Sequence, residues 1–71
     1  MLRTNEMNPD GVLIRVNLDF MCVGASFFVP CLDIQLAKRQ ALDIGRQAGY
    51  TFLAKARIEG GMQGIRVWRK L

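Results

Sequence analysis

Along the second half of this chain the hydrophobic period changes, and that change restricts the fold more than any other feature. Ile34, Ala37, Ala41, Ile44, Gly45 and Ala48 recur at helical spacing and share one face of a helix. After Gly49 the period falls to two: Phe52, Ala54, Ala56 and Ile58 alternate with Leu53, Lys55, Arg57 and Glu59. Ile65 and Val67 then alternate with Arg66, Trp68 and Lys70. One-sided helices and one-sided strands must bury their apolar faces against each other, so the pattern predicts a helix lying on an antiparallel sheet.

Asp33 is the expected N-cap of the helix and Gly49 its left-handed terminator. Its small-residue stripe lets it approach the sheet closely. Leu36 falls on the wet side with Lys38, Arg39, Gln40, Asp43, Arg46 and Gln47, where Asp43 is spaced to pair with both Arg39 and Arg46. EGGMQG, residues 59–64, is expected as a connection longer than a two-residue hairpin. It joins two strands, so it lacks the strand-to-helix setting of a phosphate-cradling loop.

The first half is expected to add two strands. Val12, Ile14, Val16, Leu18, Phe20 and Cys22 alternate with Arg15, Asn17 and Asp19, which predicts a half-buried strand over 12–22. A turn at Gly24 leads to SFFVP, residues 26–30, a short strand that Pro30 stops or places at an edge. Residues 1–11, with Asn8-Pro9-Asp10-Gly11, read as a loose arm closing in a turn. The expectation is one α+β domain over residues 12–71: about four antiparallel strands with one helix on one face, in the order β-β-α-β-β. A chain of 71 residues has room for one small core.

Composition bears mainly on function. With no His and six Asp and Glu scattered along the chain, the usual general-base and metal-ligand sets are lacking, and neither catalysis, a cofactor nor a metal is expected. Cys22 and Cys31 have neither zinc nor redox-motif spacing and read as ordinary small apolar residues. The methionines form no stripe. No secretory leader pattern and no apolar run long enough to span a membrane is found, which predicts a cytoplasmic protein. Residues 1–37 carry a net −2, whereas residues 38–71 carry eight Lys and Arg against Asp43 and Glu59, a net +6. Such asymmetry points to an anionic partner.

If Ile65, Val67 and the even residues of 52–58 face the helix, then Lys55, Arg57, Arg66, Trp68 and Lys70 emerge together on the other side, a cationic patch holding an aromatic plane. Arg69 alone points inward, near a strand end. Phosphates held by the cations with a base stacked on the indole would make this a DNA or RNA surface. Three other readings fit the same residues: Trp68 packed by the stems of Arg57 and Arg66, charged strands that prevent sheet-to-sheet aggregation, and a protein-binding hot spot. Lys38, Arg39 and Arg46 make a secondary basic face on the helix.

GASFFVP (24–30), AGYTF (48–52), ARIEGG (56–61) and GIRVWR (64–69) together resemble segments, in the same order, of small bacteriophage-encoded proteins of unassigned function. The resemblance covers roughly residues 23–70; the arm, the long first strand and Met62-Gln63 depart from it. It implies a phage origin and expression inside a bacterium, and carries over no active site. On this ground the first expectation is a non-catalytic protein that binds and modulates a host protein, such as RNA polymerase or a defence nuclease. The alternative is direct, sequence-independent DNA or RNA binding. A homodimer paired through an exposed strand edge is the third reading, against a monomer.

Overall fold

A computed structural model describes residues 5–19 and 21–71. Glu6–Met7 (β1) pairs antiparallel with Ile14–Arg15 (β2), with Glu6 opposite Arg15 and Met7 opposite Ile14. Ser26–Pro30 (β3) leads into a helix, Ile34–Gln47 (α1), followed by Phe52–Glu59 (β4) and Met62–Arg69 (β5). The last three strands form an antiparallel sheet in the order β3-β5-β4. The class is α+β, with α1 packed on one face of the three-stranded sheet.

The helix ends where its sequence punctuation stands. Asp33 Oδ1 accepts the Leu36 N–H at 3.0 Å, occupying a donor that the first turn leaves free. Gly49 closes the helix at φ +79°, and Tyr50 N–H donates to the Gly45 carbonyl at 2.7 Å. Ala37, Ala41, Ile44 and Gly45 are buried beneath α1. They meet Val29, Phe52, Ile65 and Val67 from the sheet, with Phe27 and Phe52 edge to face at 6.1 Å. A Cβ at Gly45 would stand 2.6 Å from the Phe52 ring, so this glycine permits the close approach of helix and β4.

Three expectations are corrected. Strand structure within 12–22 is limited to Ile14–Arg15. The predicted parity holds only over 14–18, where Val16 is buried and Ile14 and Leu18 pack against the core; beyond it Met21, of the other parity, is the buried residue. Pairing ends because Asn17 Oδ1 accepts the Asp19 N–H at 2.9 Å and Met21 N–H donates to the Leu18 carbonyl at 3.3 Å, which turns the chain. Val12 and Cys22 are exposed, and Phe20 lies outside the described residues.

Of residues 1–11, expected as a loose arm, 5–11 are packed on the domain and 1–4 lie outside the described residues. Met7 is fully buried and Glu6 nearly so, with Arg15 Nε 3.4 Å from Glu6 Oε2. Asn8 N–H donates to Gln40 Oε1 and Gln40 Nε2 donates to Asn8 Oδ1, both at 2.8 Å, clamping the segment to α1. Asp10 accepts the N–H groups of Leu32 and Asp33 just ahead of the helix. The third correction concerns EGGMQG: Glu59 pairs with Met62, so the connection is the two-residue loop Gly60-Gly61. Both glycines have positive φ, +56° and +76°, as the hairpin turn that matches strand twist requires.

Candidate functional site

β5 is the central strand, and its parity organises both faces of the sheet. Ile65 and Val67 are fully buried toward α1, so Arg66 and Trp68 emerge on the opposite face, which no helix or strand among the described residues covers. The register sets Lys55 opposite Arg66 and Leu53 opposite Trp68 on β4, and Phe28 and Ser26 opposite the same two residues on β3. Arg57 shares the parity of Lys55. Lys70 follows β5 with its N–H donated to the Thr51 carbonyl at 2.7 Å. The structure therefore brings Lys55, Arg57, Arg66 and Trp68 onto one face, with Lys70 at its border.

The electrostatics differ from an open cationic patch, because Arg66 is already engaged. Its Nε and Nη2 donate to the two carboxylate oxygens of Glu59 at 2.7 and 2.6 Å, and its Nη1 donates to Ser26 Oγ at 2.8 Å. Hydrogen bonding from Arg66 holds the Glu59 carboxyl below its ordinary range, and the same bond raises the Arg66 guanidinium. The Arg57 guanidinium lies 5.4 Å from the centre of the Trp68 ring, and that of Arg66 lies 6.0 Å from the Phe28 ring. Lys55, Arg57 and Lys70 form no ion pair among the described residues.

Glu59 and Phe28 are site residues that the sequence reading left out. Glu59 shares the parity of Lys55 and Arg57, but only the two-residue turn folds it to within reach of Arg66. Phe28 crosses the sheet over Gly64, where a Cβ would collide with the Val29 carbonyl oxygen and stand 2.7 Å from the Phe28 ring. Arg69 has the inward parity expected of it. Its guanidinium covers Tyr50 at 3.8 Å and donates to the carbonyls of Met21 and Leu71 at the strand end.

The secondary basic face is not joined to this surface, since α1 lies across the sheet from it. Arg39 and Arg46 are exposed and Lys38 is half-buried. Arg46 pairs with Asp43 at 3.2 Å, whereas Arg39 makes no ion pair among the described residues. No cluster of His, Cys, Asp or Glu among the described residues is arranged to hold a metal ion, and no helix among them is long and apolar enough to cross a membrane. Comparison with protein-family models, with curated proteins and with solved structures found no match to this chain.

Proposed function

We propose that this protein is a non-catalytic docking module that grips another protein with the uncovered face of its sheet. The observation that carries this reading is Trp68, half-buried on a face that no second layer of the described residues covers, its ring capped by the Arg57 guanidinium and flanked by Leu53. Trp and Arg are among the residue types most enriched at protein–protein hot spots. The Arg66 fork, which would be the best phosphate ligand on this face, is occupied by Glu59 and Ser26. Cations at the border then act as a rim that steers an acidic partner. Following the resemblance to phage-encoded proteins, the partner is a protein of the bacterial host cytoplasm, a nucleic-acid machine such as RNA polymerase or a defence nuclease, whose action the module alters.

Direct nucleic-acid binding is the second reading, favoured by the three cations without an ion pair, Lys55, Arg57 and Lys70. Affinity capture from bacterial lysate with wild type, Trp68→Ala and Arg57→Glu tests the first. A host protein retained by wild type and lost by both variants, each with an unchanged circular dichroism spectrum, is expected. Retention by Trp68→Ala would move the interface elsewhere. Titration of labelled DNA and RNA oligonucleotides at low and moderate salt tests the second, which requires an affinity that falls steeply with salt.

A further inference from the structure

We propose that the free edge of β4 accepts an extended segment of another protein as a fourth strand, one whose side chains are alternately acidic and apolar. Three features of the edge lead there. The first is its backbone. The Gly60-Gly61 turn closes on the Glu59–Met62 pair, and Lys70 N–H donates to the Thr51 carbonyl, so the odd-numbered residues of β4 direct their N–H and C=O groups to β5. The same groups of Ala54, Ala56 and Ile58 point away from the sheet, and none of them is hydrogen-bonded to a described residue. The outer edge of β3 is different: Ile14–Asn17 and Phe27–Val29 line a common hollow of about 230 Å³, so chain already lies beside it.

The second feature is a difference between the two sides of this edge. On the helix side, Ile34, Ala56, Ile58 and Gln63, with Arg57 at the border, line a hollow of about 570 Å³, and Ile58 is 77% exposed within the reach of an added strand. On the other side stand the exposed Lys55 and Arg57. An incoming strand alternates its side chains between these two sides, so apolar residues enter the hollow while acidic residues meet the cations. The third feature excludes a second copy as the occupant. Pairing β4 with itself would bring Lys55 and Arg57 of two chains together across the new ladder, where like charges destabilise, while Glu59 is held by Arg66. This goes beyond the docking face: a face contact needs Trp68, whereas strand addition needs the backbone of Ala54 and Ala56.

The test is a fluorescence anisotropy titration with a labelled peptide of alternating glutamate and valine, about as long as the eight residues of β4. Wild type is expected to bind it. N-methylation of alternate peptide amides removes donors to the edge and is expected to weaken binding about tenfold, the cost of one or two hydrogen bonds. Ala56→Pro removes an outward N–H without breaking a bond to β5 and is expected to act alike. Ile58→Glu, at an exposed position, should weaken binding while leaving the fold intact, and a lysine-for-glutamate peptide should not bind. The loss on N-methylation separates this proposal from the docking-face reading, because contact with the sheet face uses no peptide amide at the edge. Equal binding of the methylated and unmodified peptides, no binding at millimolar peptide, or a wild-type dimer in light scattering that Ala56→Pro abolishes would each overturn it.

Discussion

Gly64 is where a single missing side chain shapes the candidate surface. A methyl there would strike the Val29 carbonyl oxygen, a backbone atom that cannot rotate away, and the Phe28 ring that lies across the strand. Gly64→Ala is therefore expected to destabilise by about 1–3 kcal/mol, as overpacking does, measured by chemical denaturation. At Gly45 the obstacle is the Phe52 ring, and alanine regains about 0.8–1 kcal/mol of helix propensity, so Gly45→Ala is expected to cost less than Gly64→Ala. The two thiols give a second contrast at this scale. Cys22 is exposed, whereas Cys31 is buried and its thiol pKa is raised, first by burial and then by the charges of Asp10 and Asp33. Iodoacetamide at mildly alkaline pH should alkylate Cys22 in the folded protein and reach Cys31 only after denaturation, a difference that mass spectrometry reads directly.

Among the elements, the helix and the last hairpin follow local chemistry closely. The N-cap at Asp33 satisfies a first-turn donor, so Asp33→Ala should cost about 1 kcal/mol in a thermal or chemical melt. The hairpin carries a pH dependence of known sign. Because Arg66 lowers the Glu59 pKa in the folded state, the pair contributes stability above the ordinary carboxyl value of 4.5, and that contribution is lost as pH falls from there through the lowered value. Glu59→Gln should flatten the acid limb of the Tm-versus-pH curve, leaving less loss of stability on acidification than in wild type. The caps and the helical face were legible in the sequence because each depends on residues within a few positions of one another. The hairpin was only half legible. Met62 and Gln63 reverse the alternation of Ile65 to Trp68, and three glycines in EGGMQG mask where the ladder resumes, and with it the position of Glu59 beside Arg66.

For the whole molecule, the largest difference from the sequence reading is the N-terminal segment. Two-residue strands leave no periodic signature, and Asn8-Pro9-Asp10-Gly11 reads as a turn whether it is free or docked. In the structure Met7 is fully buried in the same cluster as Ala37, Ala41 and Ile65. Burying such a side chain contributes about 1.5–3 kcal/mol, while a core of this size supplies roughly 3–5 kcal/mol in all. Removing residues 1–11 should accordingly leave a chain that unfolds at much lower denaturant or lacks a cooperative transition. A truncated chain as stable as the full one would mean that the segment contributes nothing to the core.

By itself the sequence determined the helix, its caps, the strands after it and the parity that sends Arg66 and Trp68 away from Ile65 and Val67, since each follows from neighbours along the chain. Tertiary structure decided what those side chains meet. Strand order made β5 central and left β4 with a free edge, and the register gave Arg66 a carboxylate partner and Trp68 a guanidinium cover. Such pairings join residues distant in the chain, and their geometry is set by the packing of the whole sheet against the helix, which no local pattern of residues encodes.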